Sequence, residues 1–538
     1  MPVDLTVDGR ARTVQRDGVS LLEALRDELG VRSPKDGCSP QGQCGCCTVL
    51  VDGQPRVACV TAVRRVAGRS IVTADGLAPE VVEPLARAVL AAGGSQCGFC
   101  TPGILCRLAA LGPRPEPAAV DRALLAHLCR CTGWQGIRDA ARSWQPAEPG
   151  GSAGGCGPRP SGGEGAGERP VAALSAPAAR RATIEGRSPQ AVGVDAVLGR
   201  GGFASDTAPA DALVAVPDGA GGWAVGESLA EARAAAGVLA GRRSGRPLTW
   251  PLELPAGDWV ATLRTTWVEP GYLEPDASWC VPGGEPASAL ANGGAFGGKL
   301  SSVAPAAARR LADESGRPVR VVLGREDVVR MGAKRPPVAI GVLSDGSGVA
   351  RVARTPGIAD AIRAAAPDLV IEEVDLAGPP TSAALRAAGW AEAALVLAAA
   401  RGDRQVTVRA PDGGEATATV DVADDGRPVR VRVTVACGDP LDAVVLRSYV
   451  VGAAHMALGW VCSEGIAVDE EGRPEDLTIR SWGILRAVDT PPVEVTIADG
   501  GGPPVNGSDA AFAAVAAAAW VAQGCPPTLP TMRDLRRS

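Results

Sequence analysis

Ten of the fifteen cysteines lie before residue 132, and this clustering is the first feature of the chain with chemical consequences. Disulfides are typical of small secreted domains, whereas the same density in a cytosolic chain points to metal ligation or redox chemistry. The ten are Cys38, Cys44, Cys46, Cys47, Cys59, Cys97, Cys100, Cys106, Cys129 and Cys131. The other five show no paired ligand spacing, and we interpret them as scattered small hydrophobic residues.

The first cysteine set occupies the segment from Asp36 to Cys59, where a glycine-broken loop delivers several thiolates and a following hairpin delivers one more. A 2Fe-2S cluster requires four thiolates and a backbone that can point N–H groups at the sulfurs. A structural zinc site and unliganded buried cysteines are the alternatives for this set.

The second cysteine set has two halves, Gln96-Cys-Gly-Phe-Cys-Thr-Pro-Gly and Leu128-Cys-Arg-Cys-Thr-Gly-Trp. Each half places two thiolates at a helix terminus, and Pro102 suits the first turn of the next helix. One Cys-x2-Cys alone leaves zinc and thioredoxin-like interpretations open. The two halves together are highly specific, and they predict a second cluster enclosed by helix pairs.

The elements that position these cysteines are readable from hydrophobic spacing. Residues 1–75 alternate apolar and polar positions, contain a helical stretch from Leu21 to Leu29 and a strand at Thr48–Val51, and predict a small α+β domain. Residues 76–145 change to helical spacing and predict a four-helix unit. Its four pieces are expected near Val81–Ala92, Gly103–Leu111, Ala118–Leu128 and Gly136–Trp144.

The rest of the chain divides at a stretch rich in Gly, Pro, Ala and Ser. Residues 146–190 have a composition that buries too little surface to offset the entropy of ordering, so we expect a flexible linker. Residues 191–538 mix strand runs, such as Val319–Leu323 and Val429–Ala436, with Ala-rich helices, which indicates a further α+β region. The fold class is therefore α+β throughout.

Charge and hydropathy exclude some classes of partner. A net charge of −6 with 3% aromatic residues provides neither an electropositive field nor stacking platforms, so we expect no nucleic acid. The N-terminal residues lack the apolar core of a signal peptide. The longest apolar run, Ala510–Ala522, falls short of the ~20 residues that span a bilayer. We therefore expect a cytoplasmic protein without membrane contact.

Residues 1–144 resemble the two-domain iron-sulfur module of the xanthine dehydrogenase family of molybdenum hydroxylases. The resemblance implies a β-grasp, ferredoxin-like first domain and a helical 2Fe-2S second domain. It implies that Cys38, Cys44, Cys47 and Cys59 ligate the first cluster and that Cys97, Cys100, Cys129 and Cys131 ligate the second. It also implies that Gln96 touches the pterin of a molybdenum cofactor. The chain departs from the family in having Cys46 where a small residue is usual, and Ala126-His127 where Gly-Asn is common.

The resemblance continues beyond the linker. Val192–Arg200 is similar to the opening of the family's molybdenum subunit, and Tyr272-Leu-Glu-Pro resembles a motif before its cofactor loop. Gly293-Gly-Ala-Phe-Gly-Gly-Lys299 resembles the cofactor loop itself, in which glycines let backbone N–H groups approach an oxyanionic or metal-oxo ligand. The residues expected to bind the cofactor are Gly293, Gly294, Phe296, Gly297 and Gly298.

The molybdenum-binding region is shortened relative to the family. We find no counterpart of the family's second cofactor loop, with its Arg-Gly pair, between Pro337 and Val429. Tyr449 stands where the family has a glutamine. Asp509 stands where the family has its catalytic glutamate, so we expect it to be the general base; the alternative is an N-cap for a helix that starts at Ala510. His455 is expected to be a satisfied buried histidine.

Two functions are consistent with these residues. The first is an enzyme that hydroxylates an aromatic heterocycle or an aldehyde with water and passes electrons through two 2Fe-2S clusters. No dinucleotide or flavin motif is visible, so the resemblance implies a separate FAD-binding subunit or another electron acceptor. The second is a non-catalytic electron-transfer or assembly subunit whose molybdenum region is degenerate. Molybdenum content alongside iron distinguishes the two.

Overall fold

The computed structural model describes residues 2–147, 176–237, 246–498 and 501–532. Four sheets and the helices that cover them form the architecture of these residues. The predicted α+β class is confirmed.

The first module, residues 2–75, is a five-stranded mixed sheet crossed by one short helix. Its elements are β1 (Val3–Val7), β2 (Arg10–Val14), α1 (Leu21–Glu23), β3 (Thr48–Val51), β4 (Gln54–Val57) and β5 (Ser70–Val72), with a π-helical turn at Ala24–Glu28 and 3-10 turns at Ala58–Val60 and Val63–Val66. The strand order is β2-β1-β5-β3-β4, and only β1 and β5 are parallel. The alternation in β1 places Val3, Leu5 and Val7 in the core, as the sequence predicts. This is the expected β-grasp arrangement.

The second module is the four-helix unit that the hydrophobic spacing predicts. Its helices are α2 (Pro79–Ala91), α3 (Thr101–Leu111), α4 (Pro117–Leu124) and α5 (Gln135–Ser143). Proline stands in the first turn of α2, α3 and α4, where its missing N–H costs no helical hydrogen bond. The helices leave two connecting segments, 92–100 and 125–134, that carry the second cysteine set.

The expected linker, residues 146–190, lies partly outside the described residues, which resume at 176. The structure differs from the expectation at the end of this segment, because Ala176–Gly186 forms helix α6. Arg181 and Glu185 are buried there as an ion pair at 2.9 Å, and Arg181 also donates to the Val505 carbonyl. A Gly- and Ala-rich composition has no apolar stripe, so the tertiary contacts that order this helix are not readable from spacing.

The described residues after 190, which we call the long region, form three four-stranded sheets. Its strands are β6 (Leu213–Pro217), β7 (Trp223–Gly226), β8 (Ala261–Arg264), β9 (Ala277–Cys280), β10 (Val319–Val322), β11 (Val338–Val342), β12 (Gly348–Ala353), β13 (Leu369–Val374), β14 (Val406–Arg409), β15 (Glu415–Val422), β16 (Pro428–Ala436) and β17 (Val493–Ile497). The sheet orders are β7-β6-β10-β9, β13-β12-β11-β8 and β14-β15-β16-β17.

Helices cover these sheets and fill the space between them. They are α7 (Val194–Val197), α8 (Ala204–Thr207), α9 (Leu229–Ala236), α10 (Ala304–Ser315), α11 (Arg325–Met331), α12 (Ile358–Ala365), α13 (Trp390–Arg401), α14 (Ala443–Cys462) and α15 (Ser508–Ala522). Helices α14 and α15 are apolar on nearly all sides because they lie together in the largest core, where Trp460 stacks on Phe512 at 5.5 Å.

Helix α14 is long and apolar enough to cross a bilayer by length and composition, and it is the one such helix among the described residues. Of the 18-residue apolar stretch of this helix, 83% is buried within the protein. Its hydrophobicity is therefore accounted for by the core that it occupies.

A buried ion pair ties α13 to the strand region before β11. Glu392 is fully buried, accepts from Arg335 Nε at 2.6 Å and Nη2 at 2.8 Å, and also accepts from the Gly389 N–H at the start of α13. Removing one partner of such a pair leaves an uncompensated buried charge, which typically costs about 3–5 kcal/mol.

We therefore expect Glu392→Gln to lower the free energy of unfolding by about 3–5 kcal/mol. Glu314→Gln, in the exposed pair with Arg310, is the control and is expected to cost less than about 0.5 kcal/mol. Urea unfolding followed by far-ultraviolet circular dichroism measures both. Equal losses in the two variants would contradict the importance of the buried pair.

Candidate iron-sulfur and cofactor sites

The first cysteine set is assembled by the loop before β3 and the 3-10 turn after β4. Cys38, Cys44, Cys47 and Cys59 are all nearly inaccessible to solvent. The loop directs backbone donors at sulfur: Gln41 and Gln43 N–H groups donate to Cys38 Sγ at 3.2 and 3.4 Å, and the Cys59 N–H donates to Cys47 Sγ at 3.4 Å. Hydrogen bonds to sulfur of this kind stabilise the charge of a bound cluster.

The four thiols of the first set contact one another in a continuous series. Hydrogen bonds from Cys44 and Cys59 hold the pKa of Cys38 well below its usual range, and the bond to Cys38 raises the pKa of Cys44. The pKa of Cys59 is raised by its hydrogen bonds with Cys38 and then Cys47. The series Cys44, Cys38, Cys59, Cys47 therefore joins all four predicted ligands of the first cluster.

The second set is assembled at the N-terminus of α3 and in the loop between α4 and α5. Cys97 Sγ lies 3.6 Å from Cys131 Sγ. A hydrogen bond from Cys100 lowers the pKa of Cys129 to about 6, against the effect of burial. A hydrogen bond with Thr132 Oγ1, 3.1 Å from Cys129 Sγ, also lowers the pKa of Cys129. The four predicted ligands of the second cluster are thus brought together as two pairs.

Each set brings four thiols together, the number that a 2Fe-2S cluster shares between its two irons. Structural zinc also takes four such ligands, around one centre. No group of three or more His, Cys, Asp or Glu side chains within the described ranges is arranged as a site for a single metal ion. None of the described cysteines forms a disulfide.

Cys46 is buried beside the first set and contacts the Cys44 end of its series. Its thiol interacts with Cys44 and feels the charge of Cys97 in the second set, and its Sγ lies 3.9 Å from the Cys44 carbonyl oxygen. Cys47, not Cys46, contacts Cys59. The assignment of Cys47 rather than Cys46 as the ligand beside Cys59 agrees with these contacts and stays a prediction.

The two cysteine sets are in direct backbone contact. The Leu128 N–H donates to the Cys44 carbonyl at 2.9 Å, so one hydrogen bond and one peptide unit separate Cys44 from Cys129. Gly45 lies against His127, where an added Cβ would approach the ring to 2.6 Å. Gly45 and His127 therefore belong to the interface between the clusters' loops, and a side chain at 45 would separate them.

The glycine loop, residues 293–299, lies against the second cysteine set. Asn292 Nδ2 donates to the Cys97 carbonyl at 2.8 Å, and a Cβ added to Gly294 would lie 2.8 Å from Cys97 Cβ. Gln96 is on the same wall and donates through Nε2 to the Cys131 carbonyl at 2.9 Å and to Ser448 Oγ at 3.1 Å. The sequence expectation that Gln96 and this loop lie close together agrees with these contacts.

The glycine loop presents free backbone donors. Gly293, Gly294 and Gly297 have positive φ angles of 67°, 77° and 88°, and Phe296 has a φ of 52°. Within the described part of the chain, the N–H groups of residues 294–297 make no hydrogen bond. A run of N–H groups in such a conformation forms an anion-binding concavity.

A cavity opens in front of this loop, and we call it the cofactor cavity. The walls include Gln96, Gln190, Gly294, Phe296, Gly297, Arg386, Tyr449 and Asp509. Two predicted residues are not in the walls: Gly293 lies beneath Gln190, and Gly298 packs against the Tyr272 ring on the far side of the loop.

Asp509 faces the cofactor cavity from the first turn of α15. Its Oδ1 accepts from Arg386 Nε at 3.1 Å, and its Oδ2 forms an ion pair with Arg187. The helix starts at Ser508, earlier than expected, and is capped by other groups: Asn506 Oδ1 accepts from the Asp509 N–H, and Glu185 accepts from the Ser508 N–H. The N-cap alternative for Asp509 therefore does not describe its side chain.

Three cavity residues are not found by sequence reasoning. Arg386 stands over the Phe296 ring at 5.0 Å, although the sequence predicts no cofactor residue between Pro337 and Val429. The available signal is an arginine followed by small residues and Gly389. Arg187 and Gln190 belong to the segment assigned to the linker, whose composition conceals them. His455 is buried with Nε2 3.1 Å from the Leu485 carbonyl, as expected.

We expect about four irons per chain in two separable clusters. Cys129→Ser should abolish one of two paramagnetic signals of the reduced protein and leave the other, because each set has its own four thiols. Cys106→Ser is the control, since Cys106 is buried in α3 outside both sets and both signals should persist. Electron paramagnetic resonance with iron analysis gives the result, and joint loss of both signals in Cys129→Ser would contradict independent sites.

The N-terminal part of the chain is similar in sequence to known iron-sulfur subunits. Residues 73–142 match the family described as 2Fe-2S binding domain. A probable xanthine dehydrogenase subunit of Bacillus subtilis is 38% identical over 141 residues, which are 26% of this chain and 81% of that protein. The nicotinate dehydrogenase small FeS subunit of Eubacterium barkeri is 36% identical over 145 residues, covering 26% of this chain and 92% of that protein.

The complete architecture is similar to that of a solved enzyme. The aldehyde oxidoreductase from Desulfovibrio gigas superposes with a TM-score of 0.65, covering 99% of each chain at 15% sequence identity, which shows a shared fold. The cysteine sets carry the sequence likeness, and the long region carries the likeness of fold. The chain belongs to the xanthine dehydrogenase family of molybdenum hydroxylases.

Proposed function

We propose that the protein is a molybdenum-dependent hydroxylase that oxidises an aromatic heterocycle or an aldehyde with water and passes the electrons through its two 2Fe-2S clusters. One observation carries the proposal: glycine-loop residues 294–297, whose N–H groups are unbonded, line the same cavity as the carboxylate of Asp509, and Gly294 in its wall lies against the Cys97 side chain. A binding site for an oxidising group and an electron outlet are therefore adjacent.

The residues around the cavity fit a molybdenum-pterin cofactor. Four consecutive unbonded N–H groups at residues 294–297 suit an electronegative or metal-oxo group. Arg386, buried in the wall, adds a fixed positive charge, and Gln96 stands at the shared wall with the second cysteine set. When bound, the cofactor supplies the two-electron oxidation of the substrate carbon. The chain's own residues then have to orient the substrate, exclude bulk water and accept a proton.

Asp509 is the proposed proton acceptor. Its carboxylate is 2% exposed, and Arg386 and Arg187 fix both of its oxygens in the cavity wall. Arg187 is the more exposed partner of the two, since about half of its side chain is exposed to solvent. In the proposed reaction, substrate displaces Arg187 and frees one carboxylate oxygen, while Arg386 continues to hold the other in place.

Electrons leave the cavity by a short path. Gly294 touches Cys97 of the second set, and the Leu128 N–H bonded to the Cys44 carbonyl connects the second set to the first. The proposed acceptor beyond the first cluster is a separate FAD-binding subunit or another electron carrier. The relatives named above are subunits of dehydrogenases, which supports a protein that works with partners.

An electron-transfer or assembly subunit without catalysis is the second candidate. Two observations favour it: the curated relatives named above match only the first quarter of the chain, and Asp509 is ion-paired at both oxygens. In that case the long region is a docking scaffold and the cofactor cavity stays without a pterin.

Metal analysis of the purified protein separates the two candidates. The hydroxylase is expected to contain about one molybdenum per four irons, because one cofactor cavity accompanies two 2Fe-2S clusters. The scaffold contains iron alone. Inductively coupled plasma mass spectrometry of protein from molybdate-supplemented cells gives the ratio, and a ratio near zero would overturn the hydroxylase proposal.

Asp509→Asn is expected to lower turnover by about 10² to 10⁴, the usual contribution of a positioned base. The amide keeps the shape of the side chain, so molybdenum and iron contents should not change. Asp421→Asn is the control, because Asp421 lies on β15 in an exposed pair with Arg432 and does not line the cofactor cavity. Steady-state oxidation of an aromatic heterocycle and of an aldehyde, with a dye as acceptor, measures turnover; undiminished turnover would place the base elsewhere.

A further inference from the structure

Helix α14 holds two glutamines on the walls of the cofactor cavity through neighbouring residues. Ser448 Oγ accepts from Gln96 Nε2 at 3.1 Å, and the Tyr449 hydroxyl donates to Gln190 Oε1. Gln96 comes from the second cysteine set and Gln190 from the segment after α6. The two amides are thus fixed by one helix although they are far apart in the chain.

The amide of Gln190 is oriented by the bond to Tyr449. Because Oε1 is occupied by the tyrosine hydroxyl, Nε2 is the end of the amide left for a ligand. Nε2 lies directly above the glycine loop: a Cβ added to Gly293 would be 1.7 Å from it. Nε2 makes no hydrogen bond with the described residues, and Gln190 lines the cavity.

The backbone next to Gln190 is hydrogen-bonded to the glycine-loop segment, and its side chain is hydrogen-bonded to α14. The next residue, Ala191, donates its N–H to Asn292 Oδ1 at 2.7 Å, and Asn292 Nδ2 donates to the Cys97 carbonyl at 2.8 Å. Gln190 is 6% exposed and Tyr449 is 2% exposed. One end of this glutamine is held by the tyrosine, and its Nε2 donor remains available to a ligand in the cavity.

We infer that Gln190 is a cofactor-binding residue, whose Nε2 donates to an electronegative atom of the group held by the glycine loop, and that Tyr449 is its positioning residue. The inference rests on the proposed function. The free N–H groups of residues 294–297 and the Gln190 amide then form one set of donors around the same atom or oxyanion. Tyr449 directly follows Ser448 on α14. Its hydroxyl supplies the hydrogen bond that keeps Gln190 over the loop.

A merely structural role predicts a different response to substitution. If Gln190 only joins the end of α6 to α14, the bond from the Tyr449 hydroxyl to Oε1 is what matters. Gln190→Glu keeps that acceptor and the side-chain shape but removes the N–H donor. The isosteric acid therefore separates a ligand-binding amide from a structural one.

The experiment compares the release of molybdenum from the wild-type holoenzyme and from four variants during dialysis, with iron as the internal control. Gln190→Glu and Gln190→Ala are both expected to accelerate molybdenum release by about ten- to hundredfold, the effect of one hydrogen bond to a charged acceptor. Tyr449→Phe is expected to give a smaller acceleration, since the amide remains but loses its orientation. Thr183→Ala, on the exposed face of α6, is the matched control and should release molybdenum at the wild-type rate.

The outcomes separate this inference from the proposed function. Wild-type protein without molybdenum overturns the proposed function. If the wild-type protein holds molybdenum and the Gln190→Glu variant releases it at the wild-type rate, the inference is overturned. This remains so even if Gln190→Ala accelerates molybdenum release. A wild-type rate in Tyr449→Phe overturns the positioning role of the tyrosine. Retention of iron in each variant shows that the two cysteine modules are folded.

Discussion

The close approach of the second cysteine loop to α14 is the constraint on which the site depends. A Cβ added to Gly452 would lie 1.7 Å from the Cys131 carbonyl oxygen, and one added to Gly133 would lie 2.7 Å from the Val451 carbonyl oxygen. Backbone therefore lies on backbone at this point, with no room for a side chain. Because α14 is held so close to Cys131, its residues Ser448 and Tyr449 reach the two glutamines of the cavity wall.

Buried arginines secure both cysteine loops to the long region. Arg130, between two predicted ligands of the second set, pairs with Glu464 at 2.5 and 2.6 Å. Arg325 donates to the carbonyls of Gly37, Tyr272 and Leu273, and so joins the first cysteine loop to the same region. Buried charges are weak contributors to net stability, but losing one partner is costly. These contacts therefore favour one relative placement of the modules over others.

Buried ion pairs also hold residues in and beside the wall of the cofactor cavity. Arg386 supports the Phe296 ring and holds Asp509, while Arg181 holds Glu185, which accepts from the N-terminus of α15. Glu185 and Asn506 accept the first N–H groups of α15, from Ser508 and Asp509, and the Asp509 side chain faces the cavity. The start of the helix is therefore satisfied without the Asp509 carboxylate.

The cysteine sets, the helices and strands that carry them, the α+β class and the glycine loop are all readable from the sequence, because spacing and local periodicity encode contacts between residues that are near in the chain. The contact of Cys47 with Cys59, the order of α6 within a linker-like composition, and the meeting of Gln190, Arg386, Tyr449 and Asp509 depend on the tertiary structure. These four residues come from segments separated by other sheets, and a single sequence contains no local pattern for such distances. The contacts of Ala191 with Asn292 and of Arg386 with Phe296, together with the placement of α14 and α15, decide that they share one cavity.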